Sequence, residues 1–208
     1  MIRYDRKILH NVIFTFVVTV CAFFYLRNRK LTFEENVGNN KMYEAVYDFE
    51  NGDFNAALDG TSKHDGFFYI INNFKGTNVC NLATFYAGIS LMNLKEYNCA
   101  LRYLIKARIG EPIFEAKRLA AIGDIYVELD RCKDAVNYFI RAASIYKNDE
   151  DNASFLFKAV LAYELLDDYD SALKIVAKYL DNNNEIDDKI YEKFSKEKIR
   201  LESRLKRK

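Results

Sequence analysis

Two hydrophobic patterns divide the chain. From Ile8 to Leu26 there is no Asp, Glu, Lys or Arg, and Val12–Leu26 (VIFTFVVTVCAFFYL) is nearly all apolar, with only Thr15 and Thr19 interrupting it. Such an uncharged run of 19 residues, at about 1.5 Å per helical residue, spans about 28 Å, just enough to cross a bilayer hydrocarbon core. Arg3, Arg6 and Lys7 precede it, Arg27, Arg29 and Lys30 follow it, and Tyr25 stands near one end, where an aromatic ring favours the membrane interface. A cleaved signal peptide starts in the same way but ends at small residues, whereas this run ends in Phe23-Phe24-Tyr25-Leu26-Arg27. A buried core helix is the other alternative, and it normally carries a polar face. The pattern therefore predicts an uncleaved membrane anchor. Equal basic flanks leave its direction open under the positive-inside rule.

Beyond Lys30 the apolar and small positions recur as repeats. In EAKRLAAIGDIYVELDRCKDAVNYFIRAASIYK (115–147), Leu119, Ile122, Gly123, Tyr126, Ala135, Phe139 and Ala142 fall at the spacings of a tetratricopeptide unit, a pair of helices joined by a short turn. The preceding unit offers Gly88, Leu91, Tyr97, Ala100, Leu104 and Ala107. The following one offers Tyr163, Leu166, Tyr169, Ala172 and Val176, with Val160 at the glycine position. A weaker first unit surrounds Gly52, Phe54 and Ala57. The central alanines Ala57, Ala100, Ala135 and Ala172 are separated by 43, 35 and 37 residues, against about 34 for an uninterrupted array. The long first interval predicts an insertion over Asp59–Val79, with a short helix at Gly66–Phe74 and a turn at Lys75-Gly76-Thr77. Pro112 suits the first turn of the third unit. Asp187–Lys208 reads as a charged helix with Ile190, Phe194, Ile199, Leu201 and Leu205 available to cover the end of the array. Its basic end, Arg204–Lys208, reads as a solvated tail, with contact to anionic lipid or nucleic acid as the alternative.

Composition agrees with helices. Eight Gly and one Pro in 208 residues are too few turn formers for a β-rich chain. The expected fold is all-α: an N-terminal transmembrane helix, then a tetratricopeptide-like α-solenoid of about four hairpins with a C-terminal capping helix. The boundaries expected are 1–30 for the stub and anchor, 31–186 for the repeats and 187–208 for the cap. A net charge of +1 gives no field that would mark a nucleic-acid binder. Cys21, Cys80, Cys99 and Cys132 form no C-x-x-C pair, and with only His10 and His64 beside them no metal or other cofactor is expected. The four cysteines read as small buried hydrophobes. His64 reads as a surface residue of the insertion, and His10 as interfacial. No phosphate loop, dinucleotide fingerprint or nucleophile elbow occurs, so no catalytic residue is nominated and an enzyme is not expected.

The anchor followed by GDFNAALDG, GFFYIINNFKGT, NLATFYAGISLMNLKEYNCAL and AIGDIYVELDRCKDAVNYFIRAA resembles the bacterial YfgM-like proteins, in particular their Bacteroidetes-type tetratricopeptide members. The likeness covers about residues 40–180. Val160 and Lys95 depart from the glycines usual at their positions. The resemblance implies a single-pass inner-membrane protein with its repeats in the periplasm, associated with the SecYEG translocon and periplasmic chaperones.

In such an array the first helix of each hairpin lines a concave surface suited to a peptide or helix. That mapping nominates Met42, Val46 and Phe49, then Phe85, Ile89 and Met92, then Asp124, Val127 and Glu128, then Phe157, Leu161 and Leu165. The lining is mainly apolar and lacks the Lys and Asn arrangement that clamps a carboxylate. It predicts binding of apolar or amphipathic segments, from unfolded clients or a partner protein. The alternative is that these side chains pack on the capping helix or on one another. The expected function is a translocon-associated scaffold or chaperone for exported proteins, with a purely structural envelope scaffold as the alternative.

Overall fold

The computed structural model describes residues 6–146, 149–182 and 187–207. Arg3, Asn148 of the acidic NDED turn, and Lys208 of the basic end lie outside the described residues. All ten described elements are helices: α1 Arg6–Glu50, α2 Phe54–Asp59, α3 Phe67–Asn73, α4 Asn78–Asn93, α5 Tyr97–Lys106, α6 Pro112–Glu128, α7 Cys132–Ile145, α8 Asp149–Leu165, α9 Tyr169–Asn182 and α10 Asp188–Leu205.

Four pairs share one turn geometry. Gly52, Lys95, Asp130 and Asp167 take left-handed backbone conformations, with φ of +80°, +62°, +55° and +55°. One residue later, the N–H of Asp53, Glu96, Arg131 and Asp168 donates to the carbonyl five residues back, on Asp48, Leu91, Tyr126 and Tyr163, at 2.8–3.0 Å. This is the Schellman closure, which satisfies carbonyls left open at a helix end. Each left-handed residue stands five positions before a central alanine, and Ala57, Ala100, Ala135 and Ala172 are all fully buried. The sequence repeat is thus a backbone repeat. Gly123 shows why a small residue is needed opposite: a β-carbon there would lie 2.6 Å from Cε1 of the buried Phe139.

The chain between α2 and α4 holds the inserted helix α3, whose Phe67 and Ile70 are fully buried. Pro112 opens α6. The core runs as three consecutive clusters: α1 to α6, then α6 to α8, then α8 to α10. Phe194 and Leu201 of α10 close the last one, the Phe194 ring stacking 4.2 Å from that of Tyr179. Ile199, expected to pack there, is 68% exposed because it lies on the opposite face of α10.

Helix α1 spans 45 residues without a break at residue 30. From His10 to Lys30 every residue is exposed. This removes the buried-core alternative, because no protein surface covers the apolar run. From Leu31 onward one face becomes buried at helical spacing, through Gly38, Met42 and Ala45. One helix is therefore long and apolar enough near its start to cross a membrane, and the same helix supplies the first half of the first hairpin.

Candidate partner-binding surface

The twelve nominated residues do not form one open apolar groove. Met42 and Phe85 are in the core, each 5% exposed. Phe49 is hemmed in edge-on by Phe54, Phe67 and Tyr86, with ring centres 5.1–6.5 Å away. Val46, Ile89 and Met92 are half-buried against the same cluster, and Val127 against the next. Phe157 meets Phe194 of α10 at 5.9 Å, and the Lys193 ammonium sits 3.8 Å from the Phe157 ring centre. Of the apolar members only Leu161 and Leu165 stand open, at 44% and 64% exposure, while the polar Glu128 is also exposed. The physical reason is stacking: the inserted α3 fills the first hairpin's inner face, and α10 covers part of the last.

The polar members are engaged as well. Asp124 of α6 receives Lys158 of α8, whose Nζ donates to Oδ1 and Oδ2 at 2.8 and 2.6 Å. Burial pushes the Asp124 carboxyl above its ordinary range, and Lys158 opposes that shift. Tyr97 Oη donates to Glu128 at 2.9 Å, which raises the phenol's pKa. These contacts join neighbouring hairpins, so they read first as registry devices between repeats.

Searches against protein-family models and against curated proteins find no match to this chain.

Two features were not foreseen from the residues. A shallow cleft of about 350 Å³ lies between α7, α8 and α9, lined by Ile140, Ala143, Leu156, Ile175 and Tyr179 with Ser144, Asn152 and Lys178 at its rim. Ile140 and Ile145 of α7 are both 39% exposed, and Ile140 lines this cleft. At the other end, His64 is not a surface residue: its Nε2 lies 2.9 Å from Oδ2 of Asp48, with both side chains mostly buried. Beside it, Lys41 Nζ donates to Asp65 at 2.5 Å. The two pairs staple the insertion to α1.

Of the cysteines, Cys132 is buried, Cys80 and Cys99 are half-buried, and Cys21 is exposed on the apolar part of α1. Burial as small hydrophobes thus holds for Cys132 alone. Among the described residues no cluster of three or more His, Cys, Asp or Glu could hold a metal ion.

Proposed function

We propose that this is a membrane-anchored, tetratricopeptide-like repeat protein that works by binding other proteins, as a scaffold beside the protein-export machinery of a bacterial inner membrane. The observation that carries the reading is α1: an exposed apolar span and the first hairpin helix are one helix, so the array is built as an extension of a membrane segment. The four in-phase Schellman turns support the repeat class. The likeness in GDFNAALDG and NLATFYAGISLMNLKEYNCAL to the YfgM-like proteins supports the translocon, SecYEG, as partner and the periplasm as the side on which the repeats stand.

A scaffold is favoured over a chaperone by a specific observation. A holdase needs a large exposed apolar surface, and here ten of the twelve nominated residues are packed or hydrogen-bonded. The remaining open positions, Leu161 and Leu165, suit a single anchoring contact with a folded or helical partner.

Two assays test this. Photo-crosslinking from position 165 in native membranes is expected to give one discrete protein adduct containing a translocon or export-chaperone subunit, and its absence would remove the export assignment. Suppression of aggregation of an unfolded client at equimolar concentration would overturn the preference for a scaffold, which predicts none.

A further inference from the structure

The geometry of α1 points to a second membrane contact. We propose that the turn between α3 and α4, carrying Lys75 and Gly76, lies in the lipid headgroup layer, where Lys75 meets anionic phospholipid beside Arg27 and Arg29. This rests on the reading of Ile8–Leu26 as a membrane span.

The height of the turn follows from three facts. The uncharged run of 19 residues covers about 28 Å and so has no slack to slide within a core of about 30 Å. The helix then continues without a break to Glu50. Leu31, five residues past Leu26, is therefore about 7.5 Å beyond the end of the apolar run, and the headgroup layer is about 5–8 Å deep on each side. A β-carbon built on Gly76 would lie 3.9 Å from Leu31 Cδ2, so the turn sits at that level.

The attachment is firm. Glu35 accepts hydrogen bonds from the Asn78 and Val79 N–H groups at 2.7 and 2.9 Å, capping α4 from a residue more than forty positions away. Three residues on, Gly38 allows contact that no larger residue would: a β-carbon there would be 2.6 Å from Val79 Cγ1 and 3.3 Å from Phe74 Cγ. The turn cannot swing away from the bilayer without breaking this contact.

Its chemistry fits an anionic interface. Lys75, Arg27, Arg29 and Lys30 are all exposed. The acidic groups nearest on α1 are Glu34, 3.5 Å from Lys30, and Glu35, occupied by the α4 cap; the exposed Glu111 lines one cleft with Glu35 and is accompanied there by Arg108. The array thus stands at a fixed height on the bilayer and does not trail on a flexible tether.

The test uses the full chain in lipid nanodiscs, with the four native cysteines replaced by alanine and a fluorophore placed at Val18→Cys, Asn73→Cys or Asn51→Cys. Quenchers are carried on the acyl chain or on the headgroup. Position 18 is expected to be quenched from the acyl chain and position 73 from the headgroup. Position 51, about 37 Å past Leu26, is expected to be quenched by neither. Adding phosphatidylglycerol to phosphatidylcholine should strengthen quenching at 73, and Lys75→Glu should abolish that increase. One basic residue near an anionic surface is worth about a fivefold change in local association. Quenching at 18 with position 73 behaving like 51 would overturn the contact while leaving the anchor intact. No quenching at 18 would remove the anchor, and the contact with it. Amine footprinting of the unmodified chain gives an independent reading: Lys75 should react more slowly in the anionic discs than in neutral ones, and Lys133 equally in both. Equal rates at Lys75 would contradict the anionic-lipid contact.

Discussion

Replacing Gly123 by alanine tests how closely the hairpins are built. In an exposed helix this change would stabilise by about 1 kcal/mol, through helix propensity. Here the new β-carbon would lie 2.6, 2.8 and 3.0 Å from Cε1, Cδ1 and Cζ of Phe139. That ring is 1% exposed and has Lys158 Nζ 5.8 Å from its centre, so it has little room to retreat. Overpacking of this kind costs about 1–3 kcal/mol, and the expected net effect is a loss of about 1 kcal/mol. Phe139→Leu alone should cost about 1–2 kcal/mol, less than full truncation of a buried ring. Combined, the two changes relieve each other, because the smaller side chain makes room for the methyl group. The double variant should be about 1–2 kcal/mol more stable than the sum of the singles, within the range of direct contacts. Urea unfolding of the detergent-solubilised full chain, followed by circular dichroism, measures all four corners of the cycle. Additivity within about 0.5 kcal/mol, or a Gly123→Ala variant more stable than the parent, would refute the close packing of α6 on α7.

Other substitutions probe separate links. Lys95→Gly should stabilise by about 0.5–1 kcal/mol, as relief of a left-handed backbone at φ +62° outweighs the entropy of glycine; thermal unfolding reads this directly. Glu35→Ala removes both acceptors capping α4 and should cost about 1–2 kcal/mol, with faster amide exchange at the start of α4. Arg200 holds Glu164 of α8 and the buried Glu197 of α10 together. Arg200→Met should cost about 1–3 kcal/mol, less than for a fully buried pair because Arg200 is partly exposed; α10 should lose exchange protection while α6 keeps it. Asp124 has its pKa raised from an ordinary 3.8, so its contribution to stability is full below that value and falls as pH rises through the raised one. The stability difference between the parent and Asp124→Asn should therefore shift against the parent from pH 3 to pH 7, and a pH-independent difference would contradict the raised value.

The helices and the turns between them were legible because they depend on local signals. A small residue opposite a large one and a turn five residues before an alanine can be read from a single sequence. The insertion helix was equally legible, since glycines at 66 and 76 bracket an apolar stretch. The groove was not. Met42 and Phe85 occupy positions that face a concave surface in a plain array, but both are buried in the first core cluster, Phe85 edge-on to Phe114 of α6 at 6.0 Å. Contacts such as Asp124 with Lys158 and His64 with Asp48 join residues 34 and 16 positions apart. No periodicity encodes these pairings, because each depends on how one hairpin rotates against the next. The continuity of α1 was not legible in the sequence, where the change from an apolar run to an amphipathic pattern near residue 30 reads as a domain boundary. Packing on Val79 and Phe74 is what keeps Gly38 helical.

The most direct test of a membrane-anchored array is the state of the chain in its native membranes. After alkaline carbonate washing, the protein is expected to stay in the membrane pellet with the Ile8–Leu26 segment still joined to the helices that follow it. Release into the supernatant, or a mature chain lacking the segment before Arg27, would contradict it.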